Sequence, residues 1–467
     1  MYLSLNDSGI TIETLAKSAC GTISGTSDAG LTAYGISIDS RTTKKADAFI
    51  AIRGDKFDGH DFLSDAARAG AVFAVVEKVP ENCPIPCVVV EDTRRALGSI
   101  AHAYRQLFRT ISVAVTGSVG KTTTKQFIYS VLDTKYRTNE SHGNFNNEIG
   151  LPLTLLGLTA VHKALVVEMG MNHRGEISEL SKMVEPDISV ITGIGTAHIE
   201  NLGTRENIRD AKMEIIDGMK PGGILILNGD DPLLRDVEAD GICKIYIGIE
   251  NEDCTYSAKN IRMFAEHMLF DIRLHDGEIM NNVRVNVIGR HNIYNALVAC
   301  VCGILLGVPE EKIRYGLLNF SPAEMRQHIE EKNGITIIED CYNANPESMS
   351  AGLDVLCHTA KKKKLRPIAV LGDMLELGHV SRQAHFDIGN EAARKGVERL
   401  ITFGKAARDI AEGALAAGMK KEQITIIEDT ENAEKAADII KSIIERGDAV
   451  LFKASRAMEL ERVIKLI

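Results

Sequence analysis

One segment of this 467-residue chain constrains its fold more than any other. The β-branched run ISVAVT at 111–116 leads directly into the glycine turn GSVGKTT at 117–123, and the helix-compatible segment TTTKQFIYSVLDTKY follows at 122–136. A strand, a glycine turn and a helix N-terminus together place backbone N–H groups and the positive end of the helix dipole around a phosphate. The segment therefore predicts a parallel α/β sheet with a nucleotide site where this strand ends.

The residue types of this turn suit phosphate binding. Gly120 allows close backbone approach, the ammonium of Lys121 can reach the β- and γ-phosphates, and the hydroxyl of Thr122 can bind Mg²⁺. The gap between the two glycines is shorter here than in the common P-loop, so a turn that binds nothing stays an alternative. We predict a nucleotide-binding loop made of Gly117, Ser118, Val119, Gly120, Lys121, Thr122 and Thr123.

Short β-branched runs alternate with helical patterns along most of the chain, which is typical of a parallel sheet flanked by helices. After the first run they lie at 164–169, 188–192 and 223–228, and again, after Phe320, at 335–340, 367–372, 399–404, 423–429 and 448–454. A chain this long exceeds one hydrophobic core, so we expect an α/β fold of three domains. They are a smaller N-terminal α/β domain at 1–108, a central P-loop-type parallel-sheet domain at 109–320 and a C-terminal Rossmann-like α/β domain at 321–467.

Net charge and cysteine content argue against some classes of binding partner and cellular compartment. A formal net charge of −10 at pH 7 argues against nucleic-acid binding, because such proteins concentrate positive charge. The basic run Lys361–Lys364 is interpreted as a solvated helix end or loop. Nine cysteines without a C-x-x-C pair indicate free thiols in a reducing compartment. No signal-peptide pattern opens the chain, and no run approaches the roughly 18 apolar residues of a membrane span. We therefore expect a cytoplasmic protein without nucleic-acid binding or membrane insertion.

Two other strand ends carry side chains suited to metal binding. Glu168 lies in the run at 164–169, where a carboxylate beside a phosphate loop can bind Mg²⁺ directly or through water; a salt-bridged glutamate is the alternative. His198 follows the run at 188–192 and could meet a second metal ion, although a structural role is the more ordinary one for a single histidine. Lys212 lies on a predicted helix, where a solvated surface charge is the default.

An ordered set of segments resembles the Mur ligases of peptidoglycan synthesis over nearly the whole chain. In the central region the set comprises GSVGKTT at 117–123, GNFNNEIGLPLTLL at 143–156, GTAHIENLGTRENI at 195–208, AKMEI at 211–215, NGDDP at 228–232 and GRHNIYNALVA at 289–299. Three C-terminal segments are similar to those of family members that add the dipeptide D-alanyl-D-alanine: DCYNANPESM at 340–349, LGDMLELG at 371–378 and VLFKASRAMELE at 450–461. The segment IDSRTTKKADAFIAIRGDKFDGHDF at 38–62 resembles the UDP-sugar-peptide-binding domain of the family, except that KADAF at 45–49 replaces a GDIF-type strand opening and lacks its turn glycine.

The resemblance implies a role for each matching residue. The implied catalytic residues are Lys121, His198, Lys212 and Arg326. ATP would be bound by the phosphate loop together with Asn292, Asn295, Arg326 and Asp340. A pair of Mg²⁺ ions would be held by Thr122, Glu168, His198 and Lys212, the last of these as a carbamate. UDP-MurNAc-tripeptide would contact Ser40, Arg41, His60, Asn144, Asn146 and Asn147.

The implied activity is ATP-dependent formation of an amide bond, in which a carboxylate is activated as an acyl phosphate. The implied partners are UDP-MurNAc-tripeptide and D-Ala-D-Ala, bound by a monomer. Its N-terminal domain would take the UDP-MurNAc-peptide, and its C-terminal domain would take the dipeptide and close over ATP. A sister ligase that adds a single amino acid stays open as an alternative. A P-loop switch or sensor is a further alternative, which would need no acceptor domain.

Overall fold

The computed structural model of the protein describes residues 2–5, 9–54 and 56–467. In these ranges the chain builds three mixed sheets and a two-stranded ribbon, with helices packed against the sheets. No helix in the same ranges has both the length and the apolar character that crossing a membrane requires. The α/β class predicted from the alternating runs is confirmed.

The first sheet belongs to the N-terminal part of the chain. Its elements are β1 (Tyr2–Ser4), β2 (Ile10–Thr11), α1 (Ile12–Ser18), β3 (Thr22–Ser24), β4 (Thr32–Ala33), β5 (Gly35–Ser37), β6 (Asp47–Ile50), α2 (Leu63–Ala69), β7 (Phe73–Val76), β8 (Cys87–Val89) and α3 (Thr93–Arg105). The strand order is β1-β5-β6-β7-β8-β3, in which β5 to β8 run parallel and the edge strands β1 and β3 are antiparallel to their neighbours. Strands β2 and β4 pair as the separate ribbon.

The turn before β6 keeps the backbone of a glycine turn although it contains an alanine. Ala46 has a φ of 67°, in the left-handed region that glycine favours. Its N–H donates to Gly70 O at 2.9 Å, and its carbonyl accepts from Tyr34 N at 2.8 Å. The KADAF departure therefore strains Ala46, while these hydrogen bonds hold the turn in place.

The central sheet carries the predicted phosphate loop. Its elements are β9 (Ile111–Thr116), α4 (Lys121–Leu132), β10 (Thr138–Glu140), α5 (Gly150–Leu156), β11 (Ala164–Glu168), α6 (Glu176–Val184), β12 (Ile188–Ile191), α7 (Ile199–Leu202), α8 (Arg205–Met213), β13 (Ile224–Asn228), β14 (Cys243–Gly248), β15 (Tyr256–Met263), β16 (Met268–Arg273), β17 (Ile279–Val285), α9 (Arg290–Leu305) and α10 (Glu310–Leu318). The order is β10-β11-β9-β12-β13-β14-β15-β16-β17, parallel as far as β15 and antiparallel beyond it. Because the chain leaves β9 toward one side of the sheet and returns on the other side at β12, the end of β9 is the switch point at which such sheets bind ligands.

The C-terminal sheet follows the connection at 321–327. Its elements are β18 (His328–Lys332), β19 (Ile335–Glu339), α11 (Pro346–Lys363), β20 (Arg366–Gly372), α12 (Ser381–Arg394), β21 (Arg399–Phe403), α13 (Arg408–Ala416), β22 (Ile424–Ile427), α14 (Ala433–Lys441), β23 (Asp448–Lys453) and α15 (Glu461–Ile464). The order is β18-β19-β23-β20-β21-β22, parallel except for β18. Helix α11 ends within the basic run at 361–364, where cations favour the negative end of the helix dipole, so the run is a helix end as predicted.

Packing fixes the phosphate-loop helix α4 beside the connection between the two sheets. Phe127 of α4 stacks face to face on Phe320, with ring centroids 3.5 Å apart. On α9, a Cβ at Gly303 would come within 2.8 Å of the Val131 side chain, so glycine permits the close approach of α4 and α9. Burying a phenylalanine side chain contributes about 2–3 kcal/mol. The loop at the start of α4 is therefore carried by a well-anchored helix.

Candidate active site

A cavity of about 410 Å³ lies between the central and C-terminal sheets. One wall is formed by the loops that follow β9 and β11 and by the start of α9, and the other by the segments that follow β19 and β23. The carboxyl ends of parallel strands therefore face one another across it, the usual place for ligands in α/β proteins. Its lining includes the predicted residues Ser118, Val119, Gly120, Lys121, Thr122, Thr123, Asn146, Asn147, Glu168, His198, Asn292, Asn295, Arg326 and Asp340.

The phosphate loop has the backbone of an anion-binding turn. Gly117 has a φ of 145°, and a Cβ there would lie 1.9 Å from Thr192 Oγ1. Gly120 has a φ of 84°, so both positions require glycine. The buried Ser118 Oγ has no hydrogen-bond partner among the described residues. An unsatisfied hydroxyl within a turn of N–H groups fits a phosphate ligand.

Lys121 and Arg326 place positive charge on the two walls of the cavity. The Lys121 ammonium donates to Gly117 O at 2.9 Å, within its own loop. Burial lowers the pKa of Lys121, the Glu168 carboxylate opposes that shift, and the Arg326 guanidinium adds to it. Arg326 on the opposite wall is thus close enough to act on Lys121. An anion placed between these cations would stabilise both, which is what a polyphosphate chain would do.

Thr122 and Glu168 form an oxygen pair that fits Mg²⁺. Thr122 Oγ1 donates to Glu168 Oε2 at 2.6 Å, and Asn146 Nδ2 donates to Glu168 Oε1 at 2.9 Å. Among the described residues, no group of three or more histidine, cysteine or acidic side chains could hold a metal ion unaided. Mg²⁺ commonly uses one or two protein oxygens and completes its shell with phosphates and water, so this donor set fits it.

Lys212 lies behind this pair rather than in the cavity lining. It is only 1% exposed, and burial lowers its pKa well below the usual value, with the Lys121 ammonium adding to the shift and Glu168 opposing it. The alternative of a solvated surface lysine is therefore wrong. Burial of this kind disfavours the charged form of the amine.

The C-terminal wall positions Asp340 through a buried ion pair. Lys453 Nζ lies 2.7 Å from Asp340 Oδ2 and also donates to Asn343 O at 3.2 Å, and the Lys453 side chain is 2% exposed. Asn345 caps α11 by accepting from Ser348 N at 2.9 Å. These contacts fix the DCYNANPESM segment against β23, so Asp340 faces the cavity from a rigid support.

The predicted asparagines Asn292 and Asn295 bond to each other within α9. Asn295 Nδ2 donates to Asn292 Oδ1 at 3.1 Å, and Asn295 Oδ1 accepts from Thr124 Oγ1 at 2.9 Å. Asn292 Nδ2 donates to Gln327 Oε1 at 3.0 Å. Both asparagines line the cavity, yet much of their hydrogen-bonding capacity is used inside the protein.

Two carboxylates of the C-terminal region, Glu347 on α11 and Glu376 after β20, contact the GTAH segment that follows β12. Glu347 accepts hydrogen bonds from Thr196 N at 2.9 Å and from Thr196 Oγ1 at 3.1 Å. Glu376 Oε2 lies 2.7 Å from His198 Nδ1, and this contact with the imidazole lowers the pKa of Glu376. A Cβ at Gly195 would lie 2.7 Å from the Glu347 carboxyl carbon, so a larger residue there would displace the Glu347 carboxylate. The two sheets are therefore in direct polar contact beside the cavity.

The sequence of this chain is similar to the sequences of known proteins of one family. Three family models match successive parts of the chain: the catalytic domain of the Mur ligase family at 32–105, the Mur ligase middle domain at 115–303 and the Mur ligase glutamate ligase domain at 326–456. A UDP-N-acetylmuramoyl-tripeptide–D-alanyl-D-alanine ligase of Bacillus subtilis is 36% identical, over 97% of this chain and 97% of the relative. The chain belongs to the Mur ligase family.

Other Mur ligases agree in sequence and in structure. The ligase of the same name from Escherichia coli is 31% identical over 98% of both chains. A crystal structure of MurF from Acinetobacter baumannii superposes with a TM-score of 0.88 at 31% identity, covering 98% of both chains. A MurF ligase structure from Thermotoga maritima in complex with ADP has a TM-score of 0.82 at 30% identity, covering 92% of this chain and 96% of that one. The family and the fold class predicted from the sequence are confirmed.

Several residues predicted as Mur ligase site residues lie outside the cavity lining. Arg41 is exposed and pairs with Asp39 at 2.7 Å, and Ser40 is its partly buried neighbour. His60 Nδ1 is 2.6 Å from Asp58 Oδ1, and its Nε2 accepts from a backbone N–H, so its ring is engaged within the N-terminal domain. The remaining members of this group are Asn144, which is exposed, and Gly117 and Lys212, which lie behind the lining.

Other residues of the cavity were not predicted from the sequence. Among them are His291, Gln327, Tyr342, Asn343, Asn345, Ser348 and Lys453. Two local signals point to some of them: Gln327 follows Arg326 directly, and Lys453 ends a strand within VLFKASR. Burial lowers the pKa of His291, although its contact with Gln327 raises it again in part. Burial favours the neutral imidazole of His291, which lies among the amide side chains of Gln327 and Asn292.

Proposed function

We propose that this chain joins D-Ala-D-Ala to UDP-MurNAc-tripeptide in an ATP-dependent reaction. The observation that carries the proposal is the convergence of Lys121, Glu168, Arg326 and Asp340 on one cavity between two parallel sheets. Relatives that are 31–36% identical over nearly the whole chain are named for this activity. A ligase must hold a nucleotide, an acid and an amine together while it excludes water, and a cavity between two domains suits that task.

The domains divide the work in this proposal. Residues 1–108 bind the UDP-MurNAc-peptide through Ser40, Arg41 and His60, residues 109–320 bind ATP, and residues 321–467 bind D-Ala-D-Ala and close over ATP. The boundaries of the three matching family models support this division. Asn144, Asn146 and Asn147 would contact the peptide end of the acceptor.

The first step activates the terminal carboxylate of the tripeptide. At neutral pH a carboxylate repels nucleophiles and offers no leaving group, so it attacks the γ-phosphorus of ATP and becomes an acyl phosphate, while ADP leaves with the electron pair of the broken bond. Negative charge on the equatorial phosphoryl oxygens is neutralised by Lys121 from one wall and Arg326 from the other. The placement of these two cations on opposite walls supports this role.

Metal binding in this proposal uses residues of the central wall. Thr122 and Glu168 would hold one Mg²⁺, and His198 and Lys212 would hold a second, where the ions would supply positive charge to the phosphate oxygens. The Lys212 amine, whose pKa burial lowers, would add to CO₂ and release a proton, which converts it into a carboxylate-like anion. Such an anion would bind a cation beside Lys121, where a second ammonium would repel it.

The second step forms the amide bond. The free amine of D-Ala-D-Ala attacks the acyl carbon, loses a proton, and phosphate leaves with the electron pair of the carbon–oxygen bond. Acyl phosphates also react with water, so the site must be closed during this step. The contacts of Glu347 with Thr196 hold the two sheets together beside the cavity and support such closure.

The choice of amine distinguishes this proposal from that of a sister ligase adding a single amino acid. The experiment offers D-Ala-D-Ala, D-alanine, glutamate and diaminopimelate at equal concentration, with UDP-MurNAc-tripeptide and Mg-ATP, and identifies the product by mass spectrometry. D-Ala-D-Ala should be used far better than the others and give a pentapeptide. Preference for a single amino acid would replace the proposal with the sister-ligase alternative.

We also propose that the protein works as a cytoplasmic monomer. All nine cysteines are free, including Cys83 and Cys87, whose Sγ atoms lie 3.3 Å apart. A reducing compartment keeps neighbouring thiols of this kind unlinked. Light scattering on the purified protein would check the mass of the assembly, and a stable dimer would contradict the proposal.

A further inference from the structure

In the connection between the central and C-terminal sheets, Arg326 lies between two residues of uncommon backbone conformation. Met325 and Gln327, on either side of Arg326, have φ angles of 58° and 51°. Residues other than glycine keep this left-handed conformation only where surrounding contacts hold them in it. The contacts of this short segment therefore decide where the Arg326 guanidinium lies.

The side chain of Gln327 ties the connection to the central domain. Its Oε1 accepts from Asn292 Nδ2 at 3.0 Å and lies 3.1 Å from His291 Nε2, both on α9. From Asn292 the hydrogen bonds continue through Asn295 to Thr124, which lies on the helix behind the phosphate loop. Because Thr124 and both asparagines are buried, breaking this network would leave polar groups unsatisfied, and that cost keeps Gln327 in place.

Tyr342 supports Arg326 from the C-terminal side. The central carbon of the guanidinium lies 4.2 Å from the centroid of the Tyr342 ring. The Tyr342 N–H also donates to Met325 O at 3.2 Å, so the same residue holds both the backbone and the side chain of this segment. A guanidinium over an aromatic face is attracted by the π electrons and has less freedom to turn away.

We propose that Gln327 and Tyr342 are positioning residues for Arg326. Gln327 fixes the backbone from which Arg326 projects, and Tyr342 fixes its guanidinium opposite Lys121. The inference rests on the proposed function, because it requires that Arg326 acts on the phosphoryl group of ATP. Since one anchor is bound to each domain, Arg326 is in place only when both domains are in contact.

A double-mutant cycle with Gln327→Ala and Arg326→Ala tests the Gln327 anchor. With UDP-MurNAc-tripeptide, Mg-ATP and D-Ala-D-Ala, Gln327→Ala should lower kcat about tenfold, since small misplacement of a charge-stabilising group costs one to two orders of magnitude. The KM for D-Ala-D-Ala should stay within about twofold, and Gln327→Ala should add little to Arg326→Ala. Gln327→Met, which keeps the length but lacks the acceptor oxygen, should match Gln327→Ala.

The results distinguish the positioning role of Gln327 from the proposed ligase activity on which that role rests. Additive losses of kcat in the double variant would overturn the positioning role, while the wild-type protein remained an active ligase. A wild-type protein that releases no phosphate in response to D-Ala-D-Ala would overturn the proposed function, and this inference with it. Gln383→Ala, at an exposed glutamine on α12, is the matched control and should keep wild-type kcat.

Variants of Tyr342 test the second anchor independently. Tyr342→Phe keeps the ring and should keep kcat within about threefold, whereas Tyr342→Leu, which loses the attraction of the aromatic face, should lower it about tenfold. Equal losses in Tyr342→Phe and Tyr342→Leu would overturn the role of the ring. Tyr315→Leu, at an exposed tyrosine on α10, is the control, and thermal melts establish that each variant is folded.

Discussion

The two walls of the cavity are held in different ways. On the central wall, Thr122 and Glu168 bond to each other, and Lys121 bonds to its own loop. On the opposite wall, Gln327 next to Arg326 bonds across the domain boundary, and the Arg326 guanidinium lies over the ring of Tyr342, which follows β19. The central wall can therefore form within one domain, whereas the other wall requires contact between two. Under the proposed function, nucleotide binding would belong mainly to the first wall, and the second would complete the site for phosphoryl transfer.

The largest effect is expected at the central wall, where Lys121→Ala removes a cation from the transferring phosphoryl group. The expected loss in kcat/KM is about 1000-fold, or roughly 4 kcal/mol of transition-state stabilisation, with the fold unchanged. Coupled phosphate-release kinetics and circular dichroism provide the measurement. Lys182→Ala, at an exposed lysine on α6, should behave as wild type. Near-wild-type turnover of folded Lys121→Ala would refute the phosphate-loop assignment.

The next effect tests whether the central wall includes a carbamate at Lys212. Lys212→Ala should lose activity at least about 100-fold, because a buried anion beside the metal site would be missing. Lys212→Arg keeps a cation but cannot form a carbamate, so it should be equally inactive. A short-chain carboxylic acid should restore part of the rate to Lys212→Ala, which has space for it, and not to Lys212→Arg. Full activity of Lys212→Ala at limiting Mg²⁺ would exclude the role.

A smaller effect is expected where the two walls meet. Glu347→Ala removes the acceptor of two hydrogen bonds from Thr196, and hydrogen bonds to a charged group contribute about 1.5–3 kcal/mol. The domains should then stay together less readily, so kcat/KM for ATP should fall about tenfold. Glu434 is the second residue of α14, as Glu347 is of α11, so each carboxylate interacts with the dipole of its helix. Glu434→Ala is therefore the control for the loss of that interaction alone. If Glu347→Ala and Glu434→Ala lowered kcat/KM equally, the contact of Glu347 with Thr196 would have no role in holding the domains together.

The smallest effect is expected at the outer edge of the domain contact. Lys363 lies 3.1 Å from Glu266, in the β15–β16 turn, and 3.0 Å from Glu331, but both carboxylates are largely exposed. Exposed pairs contribute about 0–1 kcal/mol and are screened by salt. Lys363→Ala should therefore change kcat/KM less than about twofold, as should Lys361→Ala. A tenfold loss of kcat/KM for Lys363→Ala, but not for Lys361→Ala, would indicate that the essential domain contact lies at this edge.

The same difference between the walls explains what could be predicted from the sequence. The central wall is encoded in short motifs at strand ends, where periodicity and glycine spacing indicate both the element and the side chain that follows it. Lys121, Thr122 and Glu168 were found in this way. The role of Gln327 depends on its bond to Asn292, a residue distant in the chain, and no local pattern indicates such a contact between domains.

Some features could be predicted only in part. The KADAF segment indicated a missing glycine, but only the structure reveals that Ala46 adopts the left-handed backbone all the same, because backbone hydrogen bonds hold it. The antiparallel strands β16 and β17 at the edge of the central sheet were not predicted either. Both strands carry polar residues inside them, MLFDIR in β16 and IMNNVRV in β17, so they lack the continuous apolar runs by which the parallel strands were recognised.

The most direct measurement of the central claim is phosphate release with UDP-MurNAc-tripeptide and Mg-ATP, in the presence and absence of D-Ala-D-Ala. If the two walls together form a ligase site, phosphate release should depend on both substrates, and one phosphate should appear for each amide bond formed. Phosphate release at the same rate without D-Ala-D-Ala would contradict the account and favour a P-loop switch or sensor instead.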